Sequence, residues 1–224
     1  MMKLPQKAFP LVLILFSFVI GDKIAVTTKV KGTVDWMATG NTEYLKLKPG
    51  TVLSDGDKIR TGKIGFAAVI FIDDKTTLKL KENSEVVITG QRTAASISKK
   101  INMDAGTIRA KVSKQNTDFV IQTPTSVASV KGTDFWMITD PVTGDQVIGL
   151  EGLVGLVNNE TGEEVDVTEG MTGMSTPDGQ VDVVETDQNT IPDDPADEVE
   201  GPSQIRIYLE GPNGEQKALI IDYQ

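Results

Sequence analysis

The acidic residues of two short turns are the side chains that could bind a metal ion or take part in acid–base chemistry. They are Asp55 and Asp57 in "SDGDK", and Asp73 and Asp74 in "IDDK". Calcium requires six to eight oxygen ligands around one point, and neither pair continues into the longer D-x-D-x-D pattern of a calcium loop. Aspartates in turns commonly accept hydrogen bonds from their own backbone. The sequence therefore favours turn stabilisation at both places and leaves calcium binding as the alternative.

The sequence contains no histidine and no cysteine. The first absence removes the commonest general base and transition-metal ligand, and the second removes disulfides and thiolate metal sites. Ser126 and Ser129 have no histidine to activate them, so we interpret them as small packing residues. Paired carboxylates of the glycosidase kind would have to be assembled by the fold, and no sequence pattern supports them. We predict a protein that is not an enzyme and that needs no cofactor or metal.

The chain from residue 23 to 185 is a series of short apolar or alternating segments, separated by glycine, asparagine and aspartate turns. About a dozen such segments, one every 10–12 residues or so, are typical of an all-β protein. The segment "FAAVIFI" (66–72) is apolar on both faces and predicts a strand covered on both sides. In the next segment Leu78 and Leu80 alternate with outward lysines. The segment "RTAASISKKI" (92–101) is a weak helix candidate, and we prefer a strand or loop there.

A glycine stands immediately before four of the apolar segments. These glycines are Gly32, Gly106, Gly132 and Gly152, and their unequal separations do not support a strict repeat. Gly132 lies between "TPTSVASV" and the bulky pair Phe135 and Trp136. A glycine at this place indicates either a positive φ angle or a position where a Cβ atom would clash. We expect Phe135 to enter the core and Trp136 to lie on the opposite face of the strand.

The first 21 residues have the pattern of a secretory signal peptide. Lys3 and Lys7 precede an uncharged stretch that runs from Ala8 to Gly21. This stretch is shorter than the roughly 20 apolar residues that span a bilayer. We predict a cleaved signal (1–21) and an exported mature protein in the periplasm or at the cell surface. An uncleaved membrane anchor is the alternative, and it would be the protein's only contact with a membrane.

The C-terminal part of the chain differs in composition from the rest. Residues 178–200 contain nine acidic residues and no basic one, so the formal net charge of −10 comes mainly from this region. The near-neutral remainder is poorly suited to nucleic acid, because nothing in it would neutralise phosphates. Residues 186–203 contain three prolines and predict an extended acidic linker. Residues 204–224 predict a β-hairpin with its turn at Pro212-Asn213-Gly214, which must dock on the main domain or pair with another chain.

Four segments, taken in order, resemble the FecR domain. They are "LSDGDKIRTGKIGFAAVIFIDDKTTLKLKENSEVVI" (53–88), "MDAGTIRAKV" (103–112), "FVIQTPTSVASVKGTDFWM" (119–137) and "VIGLEGLVGLVN" (147–158). The residues that match the family pattern are Gly56, Asp57, Thr61, Gly62, Asn83, Ser84, Gly106, Thr123, Pro124, Lys131, Gly132, Thr133, Phe135, Glu151, Gly152 and Val154. We predict that these positions are structural. The likeness covers about residues 50–160.

The resemblance implies a fold of many short strands wound as a β-helix-like structure or twisted β-roll over residues 22–185. Composition alone allows a β-sandwich equally well. FecR-type regulators hold a sigma factor with a cytoplasmic helical region, cross the membrane once and place the FecR domain in the periplasm. There the domain relays the state of an outer-membrane transporter. Only seven residues precede the apolar stretch in this sequence, so we expect a stand-alone exported form without the sigma-binding region.

Two functions are compatible with these observations. The first is a protein-interaction or signal-relay module at the bacterial cell envelope, with another envelope protein as its partner, bound through exposed strand edges. The alternative is a carbohydrate-binding or structural surface module. That alternative requires exposed aromatic platforms, for which Trp36, Tyr44 and Trp136 are the candidates.

Overall fold

The computed structural model describes residues 22–93, 96–114, 119–194, 204–210 and 216–222. In these ranges the chain forms β-strands and one short 3₁₀ turn, which confirms the all-β prediction. Seventeen strands belong to one large sheet, more than the dozen or so expected, and two more form a separate hairpin. No helix within the described ranges has the length and apolar character needed to cross a membrane. Residues 1–21, with the predicted signal, lie outside these ranges.

The strands of the large sheet are numbered in chain order. They are β1 (Lys23–Lys31), β2 (Val34–Met37), β3 (Leu45–Lys46), β4 (Val52–Ser54), β5 (Asp57–Thr61), β6 (Phe66–Phe71), β7 (Thr77–Leu80), β8 (Glu85–Arg92), β9 (Ile97–Lys111), β10 (Phe119–Gln122), β11 (Ser126–Val130), β12 (Asp134–Asp140), β13 (Gly144–Glu151), β14 (Leu153–Asn158), β15 (Glu164–Thr168), β16 (Met171–Ser175) and β17 (Val181–Glu185).

The large sheet is folded into two layers that share the long strand β9. Layer A has the strand order β4-β1-β6-β7-β9-β12-β13-β16-β17 and uses the second half of β9. Layer B has the order β3-β2-β5-β8-β9-β10-β11-β14-β15 and uses the first half. All pairs are antiparallel except β9 with β10. The predicted all-β fold of many short strands is thus confirmed. Its strands form two antiparallel layers rather than parallel coils.

One continuous apolar core fills the space between the layers. Strands of both layers contribute to it, because alternate residues of each strand point inward. Phe71 of layer A and Phe119 of layer B meet edge to face, with ring centroids 6.2 Å apart. In β7 the alternation is as predicted, with Leu78 and Leu80 fully buried. Strand β6 is buried at every residue, which agrees with the prediction of a strand covered on both sides.

The glycines noted in the sequence lie where the chain passes from one layer to the other. Gly132 joins β11 of layer B to β12 of layer A and has a φ angle of +72°. A Cβ atom there would lie 2.3 Å from Cγ of Lys114, so both of the reasons offered for this glycine apply. Beyond the crossing, Phe135 enters the common core. Trp136 lies on the outer face of layer A, and yet it is only 1% exposed.

The C-terminal part of the chain covers the outer face of layer A. Residues 186–194 lead away from β17 and include a 3₁₀ turn (Gln188–Thr190). The hairpin strands β18 (Gln204–Glu210) and β19 (Gln216–Asp222) pair antiparallel as predicted, and the predicted turn at 212–214 lies outside the described residues. Ile207 packs against Val26 and Ile70 on the outer face of layer A. The boundary of the linker at 186–203 stays a prediction.

Candidate functional site

The Gly56-Asp57 turn is tied to two other strands through one buried carboxylate. Asp57 is 1% exposed. It accepts hydrogen bonds from the indole Nε1 of Trp36 (2.9 Å) and from the backbone N–H groups of Thr39 (2.9 Å) and Ser54 (3.0 Å). Gly56 has a φ angle of +83° that sets up this turn. The carboxylate therefore joins the β4–β5 turn to β2, and both of its oxygens accept hydrogen bonds within the fold.

The Thr61-Gly62 position fastens a crossing between the layers. The hydroxyl of Thr61 donates to the carbonyl of Lys81 at 2.5 Å and accepts from the backbone N–H of Ser84 at 2.8 Å. Gly62 donates its N–H to the carbonyl of Thr33 at 2.8 Å. Every one of these groups is paired within the fold. That this part of the family pattern is structural, like the Gly56-Asp57 turn, stays a prediction.

At Asp73 and Asp74, the residues considered for metal binding, the cation present is the ammonium of a buried lysine. Lys99 points inward from β9, and its side chain is fully buried. Its ammonium lies 2.8 Å from Asp73 Oδ2 and 3.1 Å from Asp74 Oδ2. Asp74 also accepts from the backbone and hydroxyl of Thr76, as expected for a turn aspartate. Within the described ranges no group of three or more acidic side chains could hold a metal ion.

The Thr123-Pro124 position forms a buried hydroxyl–carboxylate cluster with layer A. The hydroxyls of Thr123 and Ser126 each donate to Oδ2 of Asp145 at 2.5 Å. Asp145 is 4% exposed, and its Oδ1 has no hydrogen-bond partner among the described residues. Burial raises the pKa of Asp145, and the two hydroxyl donors oppose that rise. Ser126 thus faces a carboxylate in the interior and lacks the access to solvent that a nucleophile requires.

We expect Asp145→Asn to stabilise the protein more at neutral than at acidic pH. Because the pKa of Asp145 is raised in the folded state, folding favours the protonated carboxyl. The contribution of the Asp145 carboxyl to stability is therefore fully present below its ordinary pKa of 3.8, and it is lost as the pH rises through the pKa of the folded state. Asparagine stays neutral, keeps an acceptor for both hydroxyls and removes this loss. Urea denaturation over a pH series measures the difference.

Asp140→Asn is the comparison variant, and its effect on the pH dependence of stability should be opposite to that of Asp145→Asn. Asp140 is exposed, and the backbone N–H groups of Thr143 and Val142 lower its pKa. Its contribution is present at neutral pH and is lost as the pH falls, so this variant should lose stability at neutral pH only. A parallel pH dependence for Asp145→Asn and the wild type would contradict the assignment of the raised pKa.

Each of the three candidate aromatic platforms has a contact within the fold, and one of them is buried. Trp136 is 1% exposed, so its candidacy was wrong: the outer face of layer A on which it lies is covered. Trp36 is half-buried and is held by Asp57. The ring of Tyr44 is covered by the guanidinium of Arg60, 3.6 Å from the ring centroid. Nothing in these contacts favours the carbohydrate-binding alternative.

A row of five residues crosses the outer face of layer A from β7 to β16. Adjacent members are opposite each other in the strand pairing, so all five project from the same face. The row consists of Lys79, Arg109, Trp136, Ile148 and Thr172. Its neighbour on the edge strand β17 is Val184, which is 41% exposed. A positive pair, a tryptophan and an aliphatic side chain in one line are typical of protein-binding surfaces.

The positive end of this row binds an acidic residue from the C-terminal part. Asp194 is paired with the Lys79 ammonium at 2.5 Å and with Nη1 of Arg109 at 2.7 Å. Arg109 also forms a bidentate ion pair with Asp134, in which Nε donates to Oδ1 at 2.9 Å and Nη2 donates to Oδ2 at 3.0 Å. Both aspartates raise the pKa of Arg109, and Asp134 has the larger effect. The sequence alone does not reveal this contact, because residues 79, 109 and 194 are far apart in the chain.

These observations define a two-layer all-β module in which Asp57, Thr61 and Thr123 of the family pattern form hydrogen bonds within the fold. Residues 57–155 match the family described as FecR protein, so this part of the chain is similar to FecR domains. None of the curated proteins matches the chain.

Solved structures give a second comparison. One, provisionally described as an anti-sigma factor from Parabacteroides distasonis ATCC 8503, is 14% identical with a TM-score of 0.50, which shows a shared fold. Another of the same description and organism is 16% identical with a TM-score of 0.49. In each case 58% of this chain is covered, and the chain spans 60% of the length of the other protein.

Proposed function

We propose that this chain is an exported, non-enzymatic module of the bacterial cell envelope that binds another envelope protein and relays a signal through that contact. The match to the FecR family over residues 57–155 is the observation that carries the proposal. The exported location rests on the apolar pattern of residues 1–21. The non-enzymatic character is supported by Asp57, Asp145 and Lys99, whose charged groups are bound within the fold.

The edge strand β17 is the place where we expect the partner to bind. It pairs with β16 on one side and has no strand on its other side among the described residues. Val184 on this strand is exposed and borders the row on layer A. An edge strand offers unpaired N–H and C=O groups to which an extended segment of another protein can add as a further strand. The partner in this proposal contributes such a segment.

Site-specific photo-crosslinking in the native host tests this proposal. With a photoreactive amino acid in place of Val184, we expect a discrete crosslinked protein in the periplasmic or membrane fraction. The matched control is Val142, which is 83% exposed in the turn between β12 and β13. Identical patterns from the two positions would contradict binding at β17. Recovery of the full-length protein in the cytoplasmic fraction would contradict the exported location.

A further inference from the structure

We propose that residues 186–194 form a releasable strap over a protein-binding surface, and that this surface takes an acidic extended segment of the partner once the strap is displaced. The surface is the row of Lys79, Arg109, Trp136, Ile148 and Thr172 on layer A. The inference rests on the proposed protein-binding function and adds to it the surface, the chemistry of the bound segment and a mechanism of control.

The path of the strap follows from its two anchored ends. At one end the hydroxyl of Thr186 is 2.9 Å from that of Thr172 on β16. At the other end Asp194 binds Lys79 on β7 and Arg109 on β9. The four strand-to-strand steps from β16 to β7 span about 19 Å at roughly 4.8 Å each, and eight extended residues span at most about 28 Å. The strap is therefore long enough to cross the row between its two anchors.

The burial of Trp136 agrees with this path. Trp136 and Ile148 point away from the core between the layers, and yet they are 1% and 0% exposed. A side chain on the outer face of a sheet is buried only where another segment covers it. The guanidinium of Arg109, which Asp194 holds, lies 5.8 Å from the Trp136 ring. This burial is what a strap running over the aromatic centre of the row would produce.

The strap is a weak cover compared with the strands beneath it. Thr186 is its one buried residue, Ile191 and Pro192 are half-buried, and residues 187–190 are exposed. Its hold therefore depends on the contacts at its ends, chiefly on the carboxylate of Asp194. Segments with few buried apolar contacts open at low free energy. A partner segment with an acidic side chain and aliphatic neighbours would make the same contacts and replace the strap.

Tryptophan fluorescence of the full-length protein tests the release. In Asp194→Asn we expect acrylamide quenching of Trp136 to increase and its emission to shift to the red, because the strap loses its charged anchor. Asp193→Asn is the matched control, since the Asp193 side chain is exposed and Lys81 binds the backbone carbonyl of this residue, which the substitution keeps. Trp36 lies in layer B and gives the same signal in all variants.

A peptide of residues 186–194 then tests the surface. A tethered segment acts at an effective concentration of about 1 mM, so the free peptide is added to Asp194→Asn at about that concentration or above. The wild-type peptide should reverse the increase in quenching, and a peptide with the Asp194→Asn change should not. High salt should weaken the rescue, because it depends on a charge pair.

Each outcome bears on the inference. Unchanged quenching in Asp194→Asn, or rescue by both peptides alike, would overturn it. If Asp194→Asn does not fold, Lys79→Gln takes its place, since it removes one of the two cations and leaves Arg109 paired; unchanged quenching there would also overturn it. A Val184 crosslink without strap release would leave the proposed function standing and reject the strap. Strap release without a Val184 crosslink would support the strap and would reject partner binding at β17.

Discussion

Replacement of Lys99 by alanine is expected to lower the free energy of unfolding by about 3–5 kcal/mol, the usual result when one partner of a buried ion pair is removed. The lysine side chain is fully buried, and Asp73 and Asp74 are each 13% exposed. Without the ammonium, two carboxylates are left close together in a poorly solvated place. The lysine stem also packs near Phe71, with Nζ 5.4 Å from the ring centroid, so a cavity adds to the loss.

Urea denaturation followed by circular dichroism measures this effect. Lys100→Ala is the matched control, because Lys100 is the exposed neighbour on the same strand and should change stability by less than about 0.5 kcal/mol. A triple variant with Asp73→Asn, Asp74→Asn and Lys99→Met should recover part of the loss, since a buried ion pair can be replaced by neutral groups of similar size. Equal stability of Lys99→Ala and Lys100→Ala would contradict a structural role for the buried ammonium.

The second large effect is expected for Gly106→Ala, at about 2–5 kcal/mol of lost stability. Gly106 lies in β9 where this strand leaves layer B and enters layer A, and its φ angle is +114°. An added Cβ atom would lie 2.3 Å from Cα of Ser84. The Ser84 backbone has no room to move, because its N–H and side chain are bound to Thr61 and Thr107. The substitution therefore strains the fold where the two layers join.

Gly155→Ala provides the control for Gly106→Ala. Gly155 is in β14, has no positive φ angle, and an added Cβ atom there would meet its nearest neighbour at 3.5 Å. Thermal unfolding should show a large drop for Gly106→Ala and little change for Gly155→Ala. A midpoint for Gly106→Ala equal to that of the wild type would show that β9 can bend without the glycine.

The local patterns of the sequence predicted the strands and the turn at Gly132 well. The period of two in segments such as β7 determines which side chains face inward, and this needs no knowledge of the partner strands. The glycine before Phe135 indicated a turn because only the residue type and its bulky neighbours are needed to recognise it. The resemblance to the FecR domain rested on such local signals and agrees with the family match at residues 57–155.

The same period carries one further signal, which concerns Lys99. In β9 the inward positions are Ile97, Lys99, Ile101 and Met103, and a lysine at such a position predicts a buried partner of opposite charge. The sequence presents Asp73 as a turn residue, and the structure shows that it also accepts hydrogen bonds from Lys99 and from the backbone N–H of Ile97.

The sequence by itself determined the all-β class, the inward and outward faces of the strands and the absence of the residue types that most enzymes need. Only the tertiary structure decided which faces meet and which remain open. Asp194 is 115 residues from Lys79 and 85 from Arg109, and a composition rich in acid and proline indicated merely a linker there. The physical reason is that residue periodicity is local, whereas the pairing of distant strands places charges from separate segments on one face.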